Sequence, residues 1–178
     1  FVAKMLSGVD DVVEVGCGDG FGSRIVRQTV NKLRVTDIDP LFIERFTELS
    51  SDKWAIEPAV HDILKEPLDH KYDALYSLDV MEHIPKADEA TFLKNVSLSI
   101  CTYGVVIIGM PSIESQKYAS IESKQGHVNC KTGIELRNIL KVFFENVFMF
   151  SMNDEVVHTG FFPMSHYIIG VCCSPKSR

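Results

Sequence analysis

Glu14-Val15-Gly16-Cys17-Gly18-Asp19-Gly20-Phe21-Gly22 lies between a buried-strand run, Val12-Val13-Glu14-Val15, and a helical pattern that starts at Ser23. Glycines at a strand-to-helix turn let the backbone bend tightly and let a ligand approach the main chain. A dinucleotide fingerprint needs glycine at its first, third and sixth positions. Counted from Gly16, the sixth position is Phe21, so that fingerprint fails and a nicotinamide dehydrogenase is excluded. What stands is Gly-x-Gly-x-Gly, with an acid, Glu14, two residues before it.

Working outward, short apolar runs alternate with helical stripes. Ser23 to Val30 carries Ile25, Val26 and Val30 on one face, and Arg34 to Ile38 reads as a second strand. Asp39-Pro40 then opens a helix, with Asp as cap and Pro at its first position, and a stripe of Phe42, Phe46 and Leu49. A third strand is expected within Trp54 to Val60, weakened by Pro58. Tyr72 to Leu78 gives a fourth strand, Asp88 to Ile100 a helix, and Gly104 to Ile108 the clearest strand of all. Thr132-Gly133-Ile134-Glu135 is a capping box that opens a helix with Leu136, Ile139, Leu140 and Phe143 on one face. Val147 to Ser151 and His166 to Cys173 close the chain. About 14 residues separate them, too few for a helical crossover, so they should pair as an antiparallel hairpin. The pattern predicts an α/β fold: a seven-stranded, mostly parallel sheet covered on both faces, with a C-terminal antiparallel hairpin and a reversed strand at or near an edge.

The 178 residues are 46% hydrophobic and 24% charged, which suits one globular domain over 1–178 and argues against disorder. The net charge of −6 argues against a nucleic-acid partner held by its phosphates, and no apolar run is long enough to span a membrane. The five cysteines are odd in number and contain no Cys-x-x-Cys, which points away from disulfides and toward a reducing, cytoplasmic setting. No pair of His or carboxylates stands at metal-ligand spacing, so no metal is expected.

In an open α/β sheet, ligands bind at the carboxyl ends of the strands. Asp37 ends strand 2, 17 residues past Gly20, where a carboxylate can accept from the two hydroxyls of a ribose. Asp39 already serves as the helix cap, which frees Asp37 for that role. Asp62, in His61-Asp62-Ile63 after strand 3, is either an ordinary exposed acid or an acceptor for an exocyclic amine of adenine, with Ile38 and Ile63 packing on the ring.

Together, Glu14 to Gly20, Asp37, Asp62 and Ser77-Leu78-Asp79-Val80-Met81-Glu82-His83-Ile84-Pro85 resemble the class I S-adenosylmethionine-dependent methyltransferases, most of all the branch that methylates small molecules. The resemblance runs from Val12 to Pro111 and includes the closing hairpin. It implies a three-layer Rossmann-like fold and S-adenosyl-L-methionine as cofactor. Gly16, Cys17, Gly18, Asp19 and Gly20 would pass beside its methionine part, with Glu14 on the amino group. Asp37 and Ile38 would meet the ribose and adenine, Asp62 and Ile63 the adenine, and Leu78 and Asp79 the sulfonium. The family usually carries a helical segment before strand 1. Only 11 residues precede Val12 here, so the resemblance implies a domain lacking an N-terminal cap segment.

A sulfonium is an activated methyl donor, so the protein must align the acceptor, exclude water and, for a hydroxyl acceptor, remove a proton. Histidine is the usual base near pH 7. His83 follows strand 4, where it either sits beside the cofactor or braces a turn by bonding backbone. His127 lies in the long segment after strand 5 and His158 in Asn153-Asp154-Glu155-Val156-Val157-His158 after strand 6. These three are the candidate bases, and Ser112 to Asn129 with Asn153 to Met164 are the expected pocket walls. The latter is too polar in Asn153-Asp154-Glu155 to read as a plain hairpin turn. The expected activity is methyl transfer to a small molecule, more readily to an oxygen of a sugar or other hydroxylated metabolite. A methyltransferase-like cofactor-binding or interaction domain of a larger protein is the alternative. A nucleic-acid amino-methyltransferase is set aside, because its Pro-Pro-aromatic tetrapeptide is replaced by Ser77-Leu78-Asp79-Val80.

Overall fold

The computed structural model describes residues 1–48, 54–160 and 162–176. Leu49 and Phe161, assigned above to a helix stripe and a pocket wall, lie outside the described residues.

Among the described residues eight strands form one sheet: β1 (Asp11–Val15), β2 (Lys32–Asp37), β3 (Glu57–Val60), β4 (Tyr72–Leu78), β5 (Ile100–Pro111), β6 (Phe144–Asn153), β7 (Val156–His158) and β8 (Tyr167–Pro175). Their spatial order is β3-β2-β1-β4-β5-β8-β6-β7. The first five strands are parallel. β8 enters antiparallel between β5 and β6, pairing Ile107 with Val171 and Phe148 with Val171 from its two sides. The predicted closing hairpin is therefore present, but its reversed strand is interior, third from the edge. Pro58 is tolerated because β3 is an edge strand, where a missing N–H costs no ladder bond on the open side.

The eighth strand, β7, is an addition to the seven expected. Asp154 and Glu155 join β6 to β7 as a two-residue turn, with Asp154 at φ 49°. Asn153-Asp154-Glu155 is thus a hairpin turn, contrary to its reading as too polar for one. Acidic side chains are compatible with such a turn because Asp tolerates the left-handed conformation and all of its polar groups face water.

Alternation along the strands sends side chains to two cores. Val13, Val15, Leu75 and Val106 face α4 (Glu89–Leu98) and α6 (Gly133–Phe143), meeting Phe92, Leu93, Leu136 and Leu140. Val12, Leu33, Val35 and Tyr76 face α1 (Val2–Met5), α2 (Ser23–Arg27) and α3 (Pro40–Glu48), meeting Leu6, Val26 and Phe46. This is the expected three-layer arrangement. Ile100, expected at the end of a helix, begins β5 instead, because α4 stops at Leu98 and Ser99 caps it through Asn95 and Val96. The capping box forms as written: Thr132 accepts from the Glu135 N–H, and the Glu135 carboxylate accepts from the Thr132 N–H.

Ser112 to Lys131 is folded. A short 3₁₀ turn (Ile113–Tyr118) and α5 (Ile121–Gly126) are each opened by a serine, Ser112 and Ser120, whose hydroxyl accepts from the N–H three residues on. Among the described residues no helix is long and apolar enough to cross a membrane.

Candidate functional site at the carboxyl ends of β1, β2 and β4

Gly16, Gly18 and Gly20 all take left-handed φ, at 81°, 51° and 69°. Their surroundings differ. A Cβ at Gly16 would meet Val80 at 2.2 Å and one at Gly20 would meet Phe46 at 1.9 Å, so these two glycines are demanded by packing. A Cβ at Gly18 would meet nothing within 4 Å. Gly18 therefore keeps its main chain open on the ligand side. Its N–H donates to Asp37 Oδ2 at 2.9 Å, while Asp37 Oδ1 accepts from the Asp39 N–H at 2.9 Å. Asp37 thus clamps the glycine turn and holds both of its oxygens in fixed positions.

Glu14 is buried beneath the turn. One of its oxygens accepts from the Ser23 hydroxyl and from the Tyr76 hydroxyl, the latter at 2.8 Å. Burial pushes its pKa up to about 7, against the lowering effect of those two hydrogen bonds. Glu14 also lines a cavity of ≈ 350 Å³ together with Gly22, Tyr76, Leu78, Asp79, Met152 and Tyr167. Phe1, Val2 and Ala3 close one side of it, so the short helix before β1 supplies a wall. The Tyr167 hydroxyl is buried beside Asp79.

The remaining assigned positions divide. Asp19 accepts from the Phe21 N–H at 3.1 Å and shapes the turn, and Cys17 is buried under it, its thiol pushed up to about 12 chiefly by that burial. Ile38 is 63% exposed and offers a free apolar surface beside Asp37. Ile63 is 6% exposed and belongs to the core beneath α4, so its side chain offers little surface to a ring. Asp62 accepts from the Leu64 N–H at 3.0 Å and lies 3.4 Å from Lys65, the geometry of a local turn acid. Asp79 has φ 56°, unusual for a residue other than glycine, and its pKa is raised by desolvation, with Tyr167, His127 and His83 acting the other way.

The three candidate histidines do not converge. His83 and His127 meet edge to face, with ring centroids 5.1 Å apart. His83 Nδ1 bonds the Gly126 carbonyl and His127 Nδ1 bonds Gln116 Oε1, each at 2.9 Å. Burial and the neighbouring His83 hold the His127 pKa below its ordinary value. His158 stands on β7, with β6, β8 and β5 between it and β4, and its Nε2 faces Asn153 Nδ2 at 3.2 Å. It is not part of the pair.

Glu82 was not singled out in the sequence, yet it completes this group. Its carboxylate is fully buried, neither oxygen has a hydrogen-bond partner, and burial pushes its pKa up to about 7. One ligating atom from each of Glu82, His83 and His127 falls within 4.8 Å of the others. Spacing along the sequence gives no such grouping; folding brings these three side chains together from two distant segments. A buried network makes the junction. Lys131 pairs with Glu89, Asn129 bridges them with hydrogen bonds of 2.9 Å to each, and the Asn129 N–H donates to the Glu82 carbonyl at 2.9 Å.

Glu114, Lys117 and Tyr118 of the first segment expected as a wall face Pro163 and Met164 of the second across a cleft of ≈ 320 Å³, which extends past the second segment to His166 and is lined by none of the residues that line the Glu14–Asp79 cavity.

The methyltransferase domain family model matches residues 12–100. The chain belongs to that family. It is a class I S-adenosylmethionine-dependent methyltransferase, and the matched span contains the glycine turn, Asp37 and the end of β4. Solved structures share its fold. The methyltransferase domain of bacterial CtHen1-C superposes with a TM-score of 0.79 at 14% identity, covering 97% of this chain and 94% of that one. The N-methyltransferase NodS from Bradyrhizobium japonicum WM9, in complex with S-adenosyl-L-homocysteine, gives 0.75 at 16% identity over 98% and 83%. The DhpI–SAH complex gives 0.70 at 16% identity over 95% and 78%. No curated protein sequence matches the chain.

The residues of this methyltransferase fit the family's cofactor. Gly18 leaves open space beside its main chain, Asp37 presents fixed carboxylate oxygens next to it, and an acid-lined cavity runs from Glu14 to Asp79.

Proposed function

We propose that the protein transfers a methyl group from S-adenosyl-L-methionine to an oxygen of a small hydroxylated molecule. The cofactor supplies an electrophilic methyl on sulfur. In this reading Asp37 holds the ribose hydroxyls and Ile38 covers the adenine, with Asp62 at its edge. Gly16 to Gly20 admit the methionine part, and Glu14 meets its amino group with the lone pairs left over from Ser23 and Tyr76. Leu78 and Asp79 border the reacting end.

The observation that carries the oxygen assignment is the grouping of Glu82 and His83, which follow Asp79 in the chain, with His127 from the segment after α5. A hydroxyl must lose its proton to become an effective nucleophile, whereas a neutral amine attacks without help. Two imidazoles beside a buried carboxylate are groups suited to that proton. Burial, with the neighbouring His83, lowers the His127 pKa, which favours the proton-accepting form of its ring. The cleft between Glu114 to Tyr118 and Pro163 to His166 is of the size class that takes a small molecule.

Calorimetric titration with S-adenosylhomocysteine tests the cofactor half of this proposal. Incubation with methyl-labelled S-adenosylmethionine and a metabolite extract tests the acceptor half. Label recovered in base-stable ethers supports it, and label recovered only in methylamines overturns the oxygen assignment.

A further inference from the structure

We infer that Glu82, His83 and His127 form a binding site for one divalent first-row transition cation of the manganese, iron, cobalt and zinc type.

Four independent features of the fold lead there. Both imidazoles use Nδ1 toward an oxygen acceptor, the Gly126 carbonyl and Gln116 Oε1. Nδ1 must carry the proton in each, which leaves a lone pair on both Nε2 atoms. Metal-binding histidines are oriented in this way, by a hydrogen bond from the other ring nitrogen. Next, both Glu82 oxygens are buried without a partner. A buried acceptor without a partner loses its hydration for nothing, and a cation returns that loss. Third, atoms of the three residues lie within 4.8 Å of one another. Ligands held at about 2.1 Å from a metal stand roughly 3–4 Å apart, so a small rotation of the exposed His83 ring completes the approach. Finally, the Lys131–Glu89–Asn129 network and the Asn129-to-Glu82 bond fix the two segments against each other, so the site is held by the buried framework.

The donor set selects the ion. Two imidazoles and one carboxylate suit transition cations and leave coordination positions open, while magnesium and calcium take oxygen ligands. The open positions lie beside Asp79 at the end of β4, where an oxygen-bearing acceptor can fill them. That use deepens the oxygen-acceptor reading and rests on it, with the cation replacing the imidazoles as the group that eases loss of the acceptor's proton, because both Nε2 lone pairs would then be its ligands; the existence of the site does not.

Untagged, EDTA-stripped protein should be titrated with Co²⁺, followed by visible absorption, and with Mn²⁺, followed by electron paramagnetic resonance. The expected result is one ion per chain, with Co²⁺ bands of nitrogen and oxygen ligation and no thiolate charge-transfer band. Glu82→Gln and His127→Ala should each weaken binding at least tenfold, while His70→Ala, far from the site, should not. Circular dichroism and S-adenosylhomocysteine titration in EDTA report folding and the cofactor site separately, so loss of the cofactor reading is distinguishable from loss of this one. If His127→Ala does not fold, His83→Asn serves in its place. Absence of 1:1 binding by the wild type, or equal binding by wild type and folded Glu82→Gln, overturns the site.

Discussion

Lys131 and Glu89 form an ion pair in the interior, with both residues more than nine-tenths shielded from solvent. It joins the segment after α5 to the start of α4, and so joins His127 to Glu82. Breaking a buried pair from one side leaves an uncompensated charge and costs about 3–5 kcal/mol. Lys131→Met should therefore lower unfolding free energy by about that amount in urea. The double variant Lys131→Met, Glu89→Leu should recover a large part of it.

The glycine turn separates packing from ligand access. Gly20→Ala places its Cβ 1.9 Å from Phe46 at a left-handed φ of 69°, so overpacking of about 1–3 kcal/mol adds to backbone strain of about 1–2 kcal/mol. Gly18→Ala meets no protein atom, so only its left-handed φ of 51° opposes it, at about 1–2 kcal/mol. Calorimetry should nevertheless show S-adenosylhomocysteine binding falling more for Gly18→Ala than for Gly20→Ala. The reverse order would show that Gly18 serves the turn alone.

Asp37→Ala removes two accepted backbone hydrogen bonds and the proposed ribose ligand together. Hydrogen bonds to a charged group contribute about 1.5–3 kcal/mol, so cofactor affinity should fall roughly 10- to 100-fold in titration. Unchanged affinity would remove Asp37 from the site.

Glu14 gives the fold a pH dependence of known sign. Its folded pKa of about 7 lies above the ordinary 4.5, so its contribution to stability is fully present below about 4.5 and is lost as pH rises through about 7. The difference corresponds to about 3 kcal/mol. Glu14→Gln keeps an oxygen for the Ser23 and Tyr76 hydroxyls and cannot ionise. Chemical unfolding at pH 5 and pH 8 should show the variant gaining on the wild type by about 2–3 kcal/mol at the higher pH. Equal slopes would place the Glu14 pKa in the ordinary range.

What the sequence made legible is local. The glycine turn, the Asp39-Pro40 start and the Thr132–Glu135 capping box are each set by residues within a few positions of one another, and each forms as read. Asp37 could be placed because a strand end and a glycine turn share one face in this class of sheet. The Glu82 grouping could not, because His127 arrives from the far side of β5 and its placement depends on the buried Lys131 network. Ile63 was misjudged for a related reason: position in a loop says nothing of which way a side chain turns, and this one points into the core. The serines at 112 and 120 were available as cap signals within a segment read as loop.

The insertion of β8 between β5 and β6 has a consequence for assembly in time. β5 presents Val106, Ile107 and Ile108 along a margin that only β8 covers, and β6 reaches the sheet only through β8. During synthesis the first five strands can associate in sequence, but their apolar margin stays open until Tyr167–Pro175 has left the ribosome. An unpaired apolar margin is a template for pairing with a second molecule, and contacts that span so much chain form slowly. Loss of the last strand therefore acts less as a truncation than as a failure to seal the β5 margin.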